Sequence, residues 1–166
     1  MTEATWDVRE LSPDDWQLLR DARLAALDES PHAFLSAYAD EVAWGEDKWR
    51  HTLETANWLA VGETPLLGVL RSFRDPDQPW LWQVESSWVA PTHRELGIFR
   101  ALLHDLVSRL RCIGASGLLL WVFADNHPAW RVYRKLGFEP TGEYQTLPGD
   151  RVEMRLRRGI ALPLAI

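Results

Sequence analysis

The chain has 166 residues, enough for one ordinary domain with a sizeable core. Its composition, 46% hydrophobic and 25% charged, is globular, and no apolar run reaches the ~18 residues of a membrane-spanning helix. A formal charge of −6 argues against nucleic acid as a partner, because phosphate binding needs a basic face.

The charge is unevenly placed. Residues 1–90 hold 7 Lys and Arg against 17 Asp and Glu, whereas residues 91–166 hold 11 against 7. A basic second half suits an anionic ligand and an acidic first half a cationic one, unless both are simply solvated surfaces. The start, MTEATWDVRE, is acidic and lacks an apolar signal segment, so a cytoplasmic location is expected. Cys112 is the sole cysteine, which rules out an internal disulfide and reads as inert packing. Most of the ten tryptophans are expected in the core.

In chain order, Trp6–Leu11 alternates and predicts a strand. Ser12-Pro13 gives an N-cap with proline at the first helical position, and a helix follows to about Asp28 with Trp16, Leu19, Arg23 and Leu27 on one stripe. Residues 31–45 read as an aromatic loop with Phe34, Tyr38 and Trp44, followed by a short helix over Glu46–Thr55. Trp58–Gly62 and Leu66–Phe73 form a hairpin around Glu63-Thr64-Pro65. Trp80–Ala90 is a long strand, with Trp80, Trp82, Val84, Ser86 and Trp88 on one face and Gln83, Glu85 and Ser87 on the other.

Pro91 ends that strand, and a helix runs from Gly97 to about Cys112 with Ile98, Leu102, Leu106 and Leu110 inward. Leu118–Ala124 is continuously apolar, as in a strand buried on both faces. Pro128–Leu136 is a helix with Gly137 at its C′ position. Phe138–Tyr144 and Arg151–Arg157 are the closing strands. This order implies an α/β fold with a mixed, largely antiparallel sheet of six to seven strands and about four helices.

The turn from Pro91 to Arg100 leads from a strand into a helix. Such a turn leaves backbone N–H groups pointing out of the helix N-terminus, where the dipole favours an anion. Its sequence, Trp88-Val89-Ala90-Pro91 with Arg94, Gly97-Ile98 and Arg100-Ala101-Leu102-Leu103, resembles the acyl-CoA loop of the GNAT N-acetyltransferase superfamily. Leu119-Leu120-Trp121-Val122, Asp125-Asn126 with Ala129, and Val132-Tyr133 with Leu136-Gly137-Phe138 resemble the family's next strand, helix start and closing signature. The opening Leu11-Ser12-Pro13-Asp14-Asp15-Trp16 is similar to bacterial members, so the resemblance covers nearly the whole chain.

The resemblance implies one domain over 1–166, with acceptor-side helices and loops in 1–56 and the sheet and acyl-CoA site in 57–158. It implies acetyl-CoA as co-substrate, bound by Ser87, Trp88, Val89, Arg94, Glu95, Leu96, Gly97, Ile98, Phe99, Arg100, Asn126 and Tyr133. Tyr133 would be the general acid for the leaving thiolate, and Glu85 the base, directly or through water. Phe34, Tyr38, Gln83 and Glu85 would face the acceptor, a small amine or a peptide amine. Dimers are common in the family, so a homodimer is compatible. Each role has a plainer reading beside it: Glu85 as a salt-bridged strand carboxylate, Tyr133 as a packed aromatic, Asn126 as a helix cap.

Glu95 stands where the family commonly has glycine, Leu96 where it has a basic residue, and Phe99 where it has a small one. These departures leave open a member that has lost catalysis and binds a ligand or partner instead. No metal is expected, since the five histidines lack ligand spacing, and Ser86 and Ser87 lack the glycine pattern of a nucleophile elbow.

Overall fold

The computed structural model describes residues 5–161. Seven strands form a mixed sheet in the order β1-β2-β3-β4-β5-β7-β6. They are β1 (Val8–Glu10), β2 (Asn57–Gly62), β3 (Leu66–Arg74), β4 (Leu81–Val89), β5 (Gly117–Phe123), β6 (Glu139–Leu147) and β7 (Arg151–Gly159). The helices are α1 (Trp16–Glu29), α2 (Tyr38–Glu41), α3 (Glu46–Thr55), α4 (Ile98–Cys112) and α5 (His127–Lys135). The expected α/β class and strand count hold, and α2 is a single turn that the aromatic loop pattern did not reveal.

By internal contacts the chain divides into two compact units, residues 1–73 with 86–106, and residues 74–85 with 107–166. In the first, β1 and β2 pair antiparallel from Val8↔Val61 to Glu10↔Leu59, and β2 and β3 from Asn57↔Ser72 onward. The segment before α1 is a 3-10 turn, Pro13–Asp15, rather than α-helix. Ser12 starts it as expected: its backbone N–H donates to Asp15 Oδ2 at 2.8 Å and its hydroxyl to the same oxygen at 3.1 Å. The core of this unit joins Leu19, Ala22, Leu24 and Ala26 of α1, Trp49 and Leu53 of α3, and Trp58, Ala60, Val69 and Trp88 of the strands.

One charged pair lies inside this unit. Arg23 donates from Nε and Nη2 to the two carboxylate oxygens of Glu41, each at 2.9 Å, and both residues are buried. The bidentate geometry is what lets two opposite charges leave water together. Gly68 on β3 lets α4 come close, since a Cβ there would stand 2.5 Å from Ile98 Cγ2.

In the second unit, β4 runs parallel to β5 over Leu81↔Gly117, Trp82↔Leu118 and Gln83↔Leu119. β7 pairs antiparallel with β5 along its whole length and with β6 on its other side. β5 is buried except for the half-buried Trp121, as its unbroken apolar run predicts. Gly137 follows α5 at φ 89, the left-handed C′ conformation expected of it.

Three sequence expectations need correction. Trp80 is not in the strand face: it precedes β4 in a turn and is 54% exposed. Among the described residues, Trp49, Trp58, Trp82 and Trp88 are buried in the core and Trp16 and Trp44 pack against it half-buried, because the broad indole ring is often only partly covered. Cys112, at the last position of α4, is exposed rather than packed. Among the described residues, no helix is long and apolar enough to cross a membrane.

Candidate acyl-CoA site

The strand–turn–helix junction lies in the first unit and carries Ser87, Trp88, Val89 and Arg94 through Arg100. Ser86 opens it with φ 51, a left-handed residue inside β4. This interrupts the alternation read from sequence and re-aims the strand end. The Trp88 side chain turns into the core, and its Nε1 donates to Glu29 Oε2 at 3.3 Å. Only its backbone is then available to a ligand. Pro91–His93 is a 3-10 turn, and α4 begins at Ile98.

Between these elements Glu95 (φ 64) and Gly97 (φ 85) are both left-handed. Gly97 adopts this freely, but for Glu95 it costs about 1–2 kcal/mol. A glycine at position 95, as the resemblance implies, would take this conformation without that cost. Among the described residues, the amides of Glu95 and Gly97 have no acceptor, whereas the Leu96 amide closes the turn over Arg94 and Glu95. Leu96 has an exposed side chain, while its carbonyl accepts from Trp6 Nε1 at 2.7 Å. Ile98 is buried, and Phe99 and Arg100 are half-buried on the first turn of α4.

Arg94 differs most from expectation. Its Nη2 and Nη1 donate to Glu29 Oε2 and Oε1 at 2.6 and 3.1 Å, and its Nε donates to the Val89 carbonyl at 3.1 Å. The Arg94 guanidinium, aided by Ser30 and Trp88 and opposed by partial burial, holds the Glu29 carboxyl down at about 2. Arg94 thus joins the end of α1 to the end of β4.

Phe34 and Tyr38 belong to the same unit. The Arg23 guanidinium lies over the Phe34 ring at 4.8 Å from its centroid, so Phe34 covers the buried ion pair. Tyr38 starts α2 and is exposed.

Gln83, Glu85, Asn126 and Tyr133 belong to the second unit. Gln83 donates one amide N–H to Asp75 Oδ2, which leaves its other N–H and its carbonyl for a ligand. Burial pushes the Asp75 carboxyl up, yet bonds from Gln83 and the Gln78 and Asp77 amides, with the Arg155 charge, hold it below its usual value. Glu85 is exposed on β4. Asn126 caps α5, its Oδ1 accepting from the Ala129 N–H at 3.2 Å. The Tyr133 ring packs edge-on against Phe138, with centroids 5.7 Å apart. Among the described residues, no group of three or more His, Cys, Asp or Glu is placed to hold a metal.

Sequence reasoning missed Glu29 and Trp6. Neither sits in a motif, and each reaches the loop across 65 and 90 positions of chain.

Comparison with known proteins supplies the family. Residues 6–138 match the acetyltransferase (GNAT) family. A GNAT-family acetyltransferase from Streptococcus pneumoniae superposes with a TM-score of 0.77 at 16% identity, over 95% of this chain and 100% of that one. The yncA protein of Salmonella typhimurium, solved with its cofactor acetyl-CoA, gives 0.75 at 16% identity, over 98% of each chain. The PaiA N-acetyltransferase of Thermoplasma acidophilum, solved with coenzyme A, gives 0.71 at 15% identity, over 94% of this chain and 99% of that one. No match was found among curated protein sequences. The match over most of the chain, with a sheet and a strand–turn–helix junction of the kind the sequence implied, places this chain in the acetyltransferase (GNAT) family.

Proposed function

We propose that the protein moves an acetyl or other acyl group from acyl-CoA to a primary amine by direct attack, without an acyl-enzyme. The loop before α4 carries this reading: Glu95 and Gly97 are left-handed and their amides have no described acceptor. Such amides, with the dipole of a long helix behind them, suit a pyrophosphate. The relatives solved with acetyl-CoA and coenzyme A support the same ligand.

In this reading the 94–100 loop holds the pyrophosphate and the Ser87–Val89 backbone holds the pantetheine arm. Val89 contributes its N–H, since its carbonyl already accepts from Arg94. Bound acyl-CoA supplies a thioester carbonyl carbon with a thiolate leaving group. Glu85 takes the proton that makes the acceptor amine nucleophilic. As the N–C bond forms and the C–S bond breaks, Tyr133 gives its phenol proton to the sulfur. In the same reading residues 1–56 of a single functional domain shape the acceptor side, and Phe34, Tyr38 and Gln83 are the residues that would meet the amine. The acceptor is a small amine or a peptide amine, the enzyme is cytoplasmic, and a homodimer is compatible with it.

Isothermal titration with acetyl-CoA tests the ligand. At ~100 Kd it should also stabilise the protein by roughly 2.7 kcal/mol. Absence of both effects removes the reading. The Arg94–Glu29 pair and the negative charge of Glu95 favour a second reading, a family member that binds a ligand without catalysis. Binding of acetyl-CoA without turnover on any amine would select it.

A further inference from the structure

We infer that Glu29 and Trp6 are positioning residues that hold the acyl-CoA loop in its binding conformation. The inference rests on the reading that this loop takes acyl-CoA. Glu95 is the strained member of the loop, a side-chain-bearing residue at φ 64. A residue stays in such a conformation only when its surroundings over-determine it.

The two neighbours of Glu95 are each tied to a distant part of the chain. On one side, Arg94 is fixed by two bonds to Glu29 at the last residue of α1 and by one to Val89 at the end of β4. On the other, the Leu96 carbonyl accepts from the Trp6 indole N–H at 2.7 Å. Trp6 is placed in turn by the His93 ring, edge-on at 6.4 Å. With both flanks fixed, rotation of Glu95 back to negative φ would require breaking one clasp. The clasps thus hold the Glu95 and Gly97 amides in place before a ligand arrives, which lowers the ordering cost of binding.

The clasps also account for a loop that keeps this conformation without glycine at position 95. A glycine would reach the conformation unaided. In this chain, two side chains far away in sequence substitute for that freedom, and Arg94 serves as a tether with its charge neutralised by Glu29.

The test measures acetyl-CoA affinity by titration calorimetry for Trp6→Phe and Glu29→Gln, each alone and combined with Glu95→Gly. Trp6→Phe keeps an aromatic ring but removes the indole donor. Each single variant should bind about fivefold more weakly. In the Glu95→Gly protein the same changes should cost less than about twofold, because the loop no longer needs holding. A loss of general fold quality would appear equally in both backgrounds, and that result overturns the proposal. So does unchanged affinity in the single variants, or tighter binding by Glu29→Gln, which would make Arg94 a phosphate ligand held in check. Amide hydrogen exchange at residues 95–97 without ligand is the independent readout. It should speed up in both single variants and not in their Glu95→Gly combinations. If wild-type protein binds no acetyl-CoA, the ligand reading falls while this exchange pattern still decides whether Glu29 and Trp6 hold the loop.

Discussion

Arg94 and Glu29, 65 positions apart, form an ion pair of two hydrogen bonds at 2.6 and 3.1 Å. The pairing depresses the Glu29 carboxyl from 4.5 to about 2. A carboxyl lowered on folding adds stability that is present above its unfolded value and lost as pH falls toward its folded value. The contribution should therefore be complete above about pH 4.5 and disappear by about pH 2. Both side chains are partly exposed and screened, so the gain is at most about 1 kcal/mol. Urea denaturation of wild type and Glu29→Gln across this range should show a gap at pH 6 that closes on acidification. A gap independent of pH would mean that the charge of Glu29 is irrelevant.

The buried pair behaves differently. Arg23 and Glu41 are 7% and 2% exposed and joined by two bonds of 2.9 Å. Glu41→Ala leaves the Arg23 charge buried with no carboxylate and should cost about 3–5 kcal/mol. Replacing both residues with apolar ones of similar volume should cost far less, because neither charge then needs desolvating. Chemical denaturation of the three proteins measures this. A single variant within about 1 kcal/mol of wild type would mean that water reaches Arg23 easily.

Much of the fold was legible because its signals are local. The Ser12-Pro13 start, the periodic stripe of α4 and the unbroken apolar run of β5 each lie within one element. The glycine-like position of Glu95 was also readable, although only the backbone at φ 64 explains it. Other features depend on chain segments that meet only in the folded state. The Glu29 partner of Arg94, the Asp75 partner of Gln83 and the Trp6 bond to Leu96 have no local pattern. The turn of Ser86 out of strand geometry left no trace in an alternation that looked regular.

Gly68 links sheet packing to the loop. A methyl group there would stand 2.5 Å from Ile98 Cγ2 and 3.4 Å from Leu102 Cδ1. Ile98 is the first residue of α4 and directly follows the left-handed Gly97. Gly68→Ala should push the helix start outward, cost about 1–3 kcal/mol and raise the KM for acetyl-CoA more than it lowers kcat. Loss of stability with an unchanged KM would show that β3 does not set the loop position.

Tyr133 offers the sharpest test of mechanism. Its ring packs edge-on against Phe138 at 5.7 Å, so a phenylalanine keeps that contact and removes only the phenol hydroxyl. If the hydroxyl protonates the leaving thiolate, Tyr133→Phe should lower kcat by about 10²–10⁴-fold. Acetyl-CoA affinity should change little, because the proton moves only as the C–S bond breaks. An acyl donor with a more acidic thiol needs less protonation and should recover part of the lost rate in the variant. Steady-state kinetics with two such donors, on an amine that the wild-type enzyme acetylates, measures all of this. Full kcat in Tyr133→Phe would leave the residue as a packed aromatic, and an equal loss with both donors would place its role before the C–S bond breaks.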